Sequence, residues 1–140
     1  MKKIKGSCLC KKISFEIKNE CRYSVFCHCQ MCQTSNAEFS SYTKVKKENL
    51  NFKSKKTLKW FVSSKHYKRG FCSICGSSLF FQKRSSDDYI SISTGTLNKN
   101  IPPIGHIFYK YKKSKISFSK LKKFPQSAQG YFDKFIYRFK

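Results

Sequence analysis

Alternation of apolar and polar side chains is the main regularity along this chain. Between Lys12 and Lys18, the apolar residues Ile13, Phe15 and Ile17 alternate with polar ones, which is the period-two pattern of a half-buried strand. Short runs of similar character predict further strands at residues 23–26, 39–45, 57–62, 67–71, 78–82, 89–93, 106–111 and 115–118. Predicted strands far outnumber predicted helices, and the pattern therefore indicates a mainly β fold.

Three other stretches lack this alternation. Residues 33–36 are polar and predict a turn, and residues 94–98 predict a loop. Residues 101–105 follow neither a helical nor an alternating pattern.

The strands predicted at 67–71 and 78–82 flank a short cysteine motif, so they could form the two arms of a hairpin with that motif at its tip.

The end of the chain has a helical period instead. Tyr131, Phe132, Phe135, Ile136 and Phe139 fall at helical spacing, which predicts a short C-terminal helix at residues 131–139. Lysine and arginine occupy other positions of this segment. Such a helix could lie on a membrane surface or cover a sheet edge, and we favour the sheet edge.

The length of 140 residues predicts one domain over residues 1–140, with room for a hydrophobic core. No stretch is long and apolar enough to span a membrane. The basic segment at residues 1–7 is not followed by an apolar stretch, so we expect no signal peptide. We therefore expect a cytoplasmic protein.

The chain is strongly basic, with 30 Lys and Arg against 7 Asp and Glu and a formal net charge of +23. Such a charge attracts anions, including nucleic acid, acidic lipids and small acidic substrates. Lysine dominates and is spread along the whole chain, and it lacks the forked geometry with which arginine binds phosphate. We therefore expect nonspecific polyanion binding at low salt rather than a dedicated nucleic-acid site.

Seven of the eight cysteines occur in three short motifs. These motifs are Cys8-Leu9-Cys10, Cys27-His28-Cys29-Gln30-Met31-Cys32 and Cys72-Ser73-Ile74-Cys75-Gly76. In a reducing cytosol, cysteines spaced this closely indicate metal binding or catalysis rather than disulfides. The eighth cysteine, Cys21, stands apart, and we interpret it as a structural or free thiol.

Zinc chemistry accounts for this number of cysteines. A structural zinc takes four soft ligands in a tetrahedron, and a C-x-x-C-G motif supplies two while its glycine lets the chain turn away. Cys8 and Cys10 would complete a closed site with Cys72 and Cys75, and we call these four residues the first cysteine group. The second cysteine group consists of Cys27, Cys29 and Cys32. Three protein ligands with a fourth position left open are typical of a catalytic zinc.

Other chemistries stay open for these cysteines. Disulfides would suit an oxidising compartment, and the second cysteine group could hold an iron–sulfur cluster. It could also form a second closed zinc site with His28, His66 or His106 as the fourth ligand. Of the three histidines, His28 fits least, because flanking cysteines that share a metal restrict where its ring can point.

The motifs and their order resemble the glutathione-dependent formaldehyde-activating enzyme family, which also contains the centromere protein V group. The resemblance covers residues 4–118, and its most specific features are the three cysteine motifs. The matching segments include Gly6-Ser7-Cys8-Leu9-Cys10, Cys27-His28-Cys29-Gln30-Met31-Cys32, Phe71-Cys72-Ser73-Ile74-Cys75-Gly76, Gly95-Thr96-Leu97 and His106-Ile107-Phe108.

The resemblance implies an Mss4-like fold of antiparallel β-sheets with zinc-binding loops. It implies a structural zinc on the first cysteine group and a second zinc on the second cysteine group, where a thiol such as glutathione would coordinate. The implied activity is that of a carbon–sulfur lyase acting on this thiol and a small aldehyde such as formaldehyde. Lys65, His66 and His106 are further candidates for the pocket.

This chain departs from the family pattern in two places. A tryptophan often follows the His-Ile-Phe stretch, where residues 109–113 read Tyr-Lys-Tyr-Lys-Lys, and a glycine is often seen at the position of Lys11. These departures concern the substrate rather than the fold. The alternative function is a non-catalytic, zinc-stabilised basic module that binds nucleic acid or another polyanion.

Overall fold

A computed structural model describes residues 3–18 and 21–113. Within these ranges the chain forms ten strands and one α-helix, so the fold is mainly β, as predicted. The strands are β1 (Ile4–Ser7), β2 (Ile13–Ile17), β3 (Ser24–Cys27), β4 (Ser40–Lys46), β5 (Leu50–Lys55), β6 (Leu58–Val62), β7 (Tyr67–Cys72), β8 (Ser78–Lys83), β9 (Tyr89–Ser93) and β10 (Pro103–Ile107). The helix α1 is Gln30–Asn36, and short 3₁₀ helices form at Lys47–Asn49, Thr94–Thr96 and Tyr109–Tyr111. The predicted strand at 115–118 and the predicted helix at 131–139 lie outside the described residues.

The strands form two sheets. A three-stranded sheet has the order β1-β2-β5, and a seven-stranded sheet has the order β10-β3-β4-β9-β8-β7-β6. Neighbouring strands are antiparallel except for the parallel pair β10–β3. The predicted hairpin is confirmed, since β7 and β8 pair directly and place Arg69 opposite Phe81.

The main core contains residues from both sheets. Phe15 of β2 and Phe80 of β8 are almost fully buried, and their ring centroids are 5.2 Å apart. Because side chains alternate along a strand, Phe81 points to the opposite face of the seven-stranded sheet. There it stacks on Tyr42, and this smaller cluster also contains Cys27 and Cys32. The second cysteine group is therefore separated from the main core by one sheet.

Helix α1 replaces the turn that we expected at residues 33–36. The helix is only seven residues long, and its N-cap is Cys29, whose sulfur accepts a hydrogen bond from the backbone N–H of Cys32. Cysteine is not among the usual N-cap residues, and the segment has no apolar stripe at helical spacing. The sequence prediction was wrong here because the helix starts on a cysteine of the metal motif.

Strand β10 lies earlier in the chain than the strand predicted there. We expected a strand at residues 106–111, but the strand begins at Pro103 and ends at Ile107, before the 3₁₀ helix Tyr109–Tyr111. Every residue of β10 is exposed in the described part of the chain. A strand without a buried face has no reason to alternate, which explains why its sequence showed no pattern.

We predict that Gly6→Ala destabilises the protein by about 1–3 kcal/mol, the usual cost of overpacking. Gly6 lies directly opposite Phe15 across β1 and β2, and a β-carbon on Gly6 would overlap the end of this buried ring. The free energy of unfolding in urea would measure the effect. Gly95→Ala is the matched control because a β-carbon there meets no atom within 4 Å. Equal stability of the two variants would contradict the prediction.

Candidate functional site

The structure brings the first cysteine group together. The four Sγ atoms of Cys8, Cys10, Cys72 and Cys75 all lie within 4.8 Å of one another. The Sγ atoms of Cys8 and Cys10 are 3.5 Å apart, and those of Cys10 and Cys72 are 3.7 Å apart. Four sulfurs bound tetrahedrally to one zinc would lie about 3.8 Å apart, whereas a disulfide bond is about 2.0 Å long. The spacing fits a shared metal ion.

Two tight loops bring these sulfurs to one point. After β1, the N–H of Lys11 donates to the carbonyl of Cys8 at 3.0 Å, and Lys11 has a left-handed backbone with φ 62°. After β7, the N–H of Gly76 donates to the carbonyl of Cys72 at 2.9 Å, and Gly76 also has a positive φ of 72°. Glycine adopts this conformation without steric cost, whereas a lysine does not. Lys11 therefore stands where the loop geometry favours glycine.

Hydrogen bonds also surround the sulfurs of the first cysteine group. The Ser77 hydroxyl lies 3.2 Å from the Sγ of Cys75, and the backbone N–H of Ile13 donates to the Sγ of Cys8 at 3.3 Å. The Ser77 hydroxyl and backbone N–H, the largest causes, lower the pKa of the Cys75 thiol to about 5. A thiolate is the form in which cysteine binds a metal. The surroundings of Cys75 therefore favour the form that a metal requires.

The second cysteine group is built at the end of β3. Cys27 is the last residue of that strand, Cys29 caps α1, and Cys32 lies in the first turn of the helix. Their three Sγ atoms also lie within 4.8 Å of one another. Cys27 and Cys32 are buried, while Cys29 is only partly buried. Solvent therefore reaches this group from the side of Cys29.

The thiols of the second cysteine group differ in acidity. The largest cause is the hydrogen bond between Cys27 and Cys32, which lowers the pKa of Cys32 to about 5 and raises the pKa of Cys27. Donors at Ser40 and Arg69 lower the pKa of Cys32 further, whereas burial raises that of Cys27. The surroundings of Cys32 therefore favour its thiolate, the form in which a cysteine binds a metal.

The histidines that we considered as fourth ligands do not join this group. The Nε2 of His28 lies 2.9 Å from the Nδ1 of His106, and the ring of His28 packs against those of Phe39 and Tyr109. His66 is exposed, and it lies between β6 and β7. In the described ranges, no other Cys, His, Asp or Glu places a ligand atom with these three sulfurs. The fourth coordination position is thus without a protein ligand there.

The remaining candidates have different surroundings. Lys65 is exposed beside His66, and His106 lies on β10, opposite Phe26 of β3. Cys21 is a buried thiol outside both cysteine groups, and burial, the largest cause, raises its pKa. Of the three pocket candidates, only His106 is placed by strand pairing next to the second cysteine group.

Arg69 was not among the residues predicted from the sequence. This residue of β7 is buried, and its Nη2 donates to the Sγ of Cys32 over 3.7 Å. An arginine in a basic chain carries no local signal of such a role, because only the strand register brings it to the face that carries Cys32.

Comparisons with known proteins support this description. A family model for the glutathione-dependent formaldehyde-activating enzyme matches residues 3–111, a segment that contains both cysteine groups. This chain belongs to that family. A crystal structure of a Rhodobacter sphaeroides protein is similar with a TM-score of 0.61 and 19% identity, covering 73% of this chain and 98% of that chain. At this identity the likeness shows the fold alone. A comparison with curated proteins found no match.

Family membership and geometry together identify two cysteine groups that could hold metal ions, and both are consistent with zinc. The family name refers to a glutathione-dependent reaction of formaldehyde. No helix in the described part of the chain has the length and apolar character needed to cross a membrane.

We predict that Cys75→Ser lowers the melting temperature by roughly 10 °C or more, because losing a ligand of a structural metal removes about 3 kcal/mol or more of folding free energy. Differential scanning calorimetry would measure the melting temperature, and elemental analysis would measure the loss of bound metal. Ile74→Ser is the matched control, because Ile74 lies in the same loop with 62% of its surface exposed and is not a ligand. A Cys75→Ser protein that melts like the Ile74→Ser protein would contradict a structural metal here.

Proposed function

We propose that this protein is a zinc-dependent enzyme of the carbon–sulfur lyase type, which condenses a small thiol such as glutathione with a small aldehyde such as formaldehyde. The observation that carries this proposal is the second cysteine group. Its three sulfurs lie close enough to share one metal ion, and no fourth protein ligand joins them among the described residues. The first cysteine group would hold a structural zinc in the same proposal.

Zinc suits the donor set of the second cysteine group. Soft thiolates prefer zinc over hard cations such as magnesium, and the spacing of three sulfurs within 4.8 Å matches one tetrahedral ion. Three thiolates and one Zn²⁺ sum to a charge of about −1, which makes the ion a modest Lewis acid. We therefore favour a role in binding the substrate thiol over a role in activating water.

The residues of the second cysteine group would have different roles in the site. Cys27 and Cys32 are buried and would form the inner part of the site, whereas Cys29 borders the open side through which substrates enter. A bound zinc would supply a position where the substrate thiol loses its proton and stays nucleophilic. His28 is kept from closing that position, because its ring is engaged by His106.

The proposed reaction needs no reactant besides the thiol and the aldehyde. The thiolate sulfur attacks the carbonyl carbon, and a carbon–sulfur bond forms. The π pair of the carbonyl moves to oxygen, which takes up the proton that the thiol lost. The product is the S-hydroxymethyl adduct, and the reverse reaction cleaves the carbon–sulfur bond. Glutathione carries two carboxylates, and the net charge of +23 would favour its approach.

We predict about two zinc ions per wild-type chain and about one in Cys29→Ser. Serine can replace Cys29 as a helix N-cap, so the variant should keep α1 while losing a metal ligand. Thiol–aldehyde turnover should fall to background in this variant, because the reaction requires the second metal. Elemental analysis would measure the zinc content, and nuclear magnetic resonance would monitor formation of the adduct.

The control is Cys21→Ala, which removes a thiol outside both cysteine groups and should leave zinc content and turnover unchanged. Glutathione should also slow the loss of the second zinc to a chelator, because it would fill the open position. Turnover that persists in Cys29→Ser would contradict the proposal. So would a single zinc in the wild type that glutathione does not affect.

The charge of +23 favours one alternative, a non-catalytic module that binds nucleic acid or another polyanion. This module would bind double-stranded DNA tightly at about 150 mM salt, would lose this binding on reversal of lysine charges, and would keep it in Cys29→Ser. Binding that disappears well below that salt concentration would indicate nonspecific attraction alone. The same purified proteins can be used for this measurement.

A further inference from the structure

Arg69 is a buried cation without an acidic partner in the described ranges. Its side chain lies in the middle of β7 with only 5% of its surface exposed. No Asp or Glu of residues 3–18 and 21–113 forms an ion pair with it. Taking a charge out of water costs several kcal/mol unless an opposite charge or hydrogen bonds compensate. Its surroundings should therefore contain compensating negative charge.

The contacts of Arg69 lead to the second cysteine group. Its Nη2 donates to the Sγ of Cys32 at 3.7 Å, and its Nη1 donates to the hydroxyl of Tyr42 at 3.2 Å. The guanidinium group lies over the ring of Phe81, 4.7 Å from its centroid. Phe81 and Tyr42 themselves stack, so the aromatic pair fixes the plane in which the guanidinium lies.

One nitrogen of the Arg69 guanidinium lacks a hydrogen-bond partner in the described ranges. The Nε atom is buried and makes no hydrogen bond within the described part of the chain. The guanidinium therefore gains its compensation from the aromatic face, one hydroxyl and one sulfur. Of these three contacts, the sulfur of Cys32 is the one that a metal ion would hold as an anion, since cysteine binds metals as a thiolate.

We propose that Arg69 is the positioning residue of the second cysteine group, where it supplies the counter-charge for three thiolates bound to one metal ion and orients Cys32 toward that ion. This inference rests on the metal-binding part of the proposed function. Three thiolates and one Zn²⁺ leave about one negative charge in a largely buried place, and Arg69 supplies one positive charge beside it.

Arg69 also affects how Cys32 would bind the metal. A hydrogen bond to a coordinating thiolate withdraws electron density from its sulfur, so the metal keeps more of its own charge. A more electrophilic metal binds the incoming thiol more strongly as a thiolate. Partners of metal ligands typically change affinity or activity by about 10-fold to 100-fold when they are lost, and we expect the same range here.

The test compares Arg69→Gln with Arg69→Lys and with Arg84→Gln. Arg84 is an exposed arginine whose Nη1 donates to the carbonyl of Lys65, so its substitution makes the same charge change away from the second cysteine group. Zinc affinity at each site would be measured by competition with a chelator. With zinc in the first cysteine group, Co²⁺ added to the second would report on the thiolates through its sulfur-to-metal absorption band.

We expect Arg69→Gln to weaken zinc binding at the second cysteine group by about 10-fold to 100-fold while the first cysteine group keeps its zinc. The Co²⁺ absorption band should shift, because the electron density on Cys32 changes. Arg69→Lys should recover part of the affinity, since it keeps the charge but lacks the fork that contacts both Cys32 and Tyr42. Arg84→Gln should behave like the wild type at both sites.

The outcomes separate this inference from the proposed function. A wild-type chain with no metal on the second cysteine group would overturn both. A wild type with two zinc ions, together with an Arg69→Gln variant of unchanged affinity and unchanged Co²⁺ absorption, would overturn the inference alone. An equal loss at both sites would also overturn it, because it would indicate general destabilisation of the fold.

A second variant keeps the test informative if Arg69→Gln does not fold. Tyr42→Phe keeps the ring stacked on Phe81 and removes only the hydroxyl that accepts from Arg69. The guanidinium would then lose one of the two hydrogen bonds that it donates among the described residues, and zinc affinity at the second cysteine group should fall by a few-fold. Unchanged zinc affinity at the second cysteine group and an unchanged Co²⁺ absorption band in Tyr42→Phe would overturn the proposal.

Discussion

The close approach of sulfur atoms in the first cysteine group is the constraint on which the rest of this fold depends. Cys10 and Cys72 are 62 positions apart in the chain, yet their sulfurs lie 3.7 Å from each other. Four sulfurs at such distances repel one another as thiolates unless a cation lies between them. A metal ion at this point would therefore join the loop after β1 to the tip of the β7–β8 hairpin and would add to the main core, which contains Phe15 and Phe80.

That connection extends to the second cysteine group through β7. The strand ends in Cys72 and carries Arg69 three residues earlier, on the face toward Cys32. Phe80 and Phe81 are neighbours in β8 and point to opposite faces of the sheet. Phe80 packs into the main core, and Phe81 lies under the guanidinium of Arg69. A single hairpin thus connects the first cysteine group with the surroundings of the second. A defect in the first cysteine group should therefore disturb the second.

Features that depend on the spacing of nearby residues could be predicted from the sequence. The pattern at Ile13, Phe15 and Ile17 predicted β2 because one face of that strand is fully buried. The cysteine motifs predicted both groups because gaps of one or two residues bring sulfurs together locally, and because a zinc that takes four ligands needs both cysteine pairs of the first group. Strand β1 has only four residues, and β10 is exposed along its whole length, so neither shows a pattern. Arg69 depends on the register of β7 and on Tyr42 of another strand, and neither is encoded locally.

The two cysteine groups use the same ligand chemistry, and the difference between them comes from the neighbours of their cysteines. In the first group, two cysteine pairs from distant parts of the chain complete a set of four. In the second, His28 lies between two of the cysteines, and these neighbours restrict where its ring can point. Its ring instead meets His106 of β10, and its backbone N–H donates to the carbonyl of Ile107 at 3.0 Å. The exposed strand β10, which contributes little to the core, thus engages the nearest histidine, and the second cysteine group keeps only its three sulfurs among the described residues.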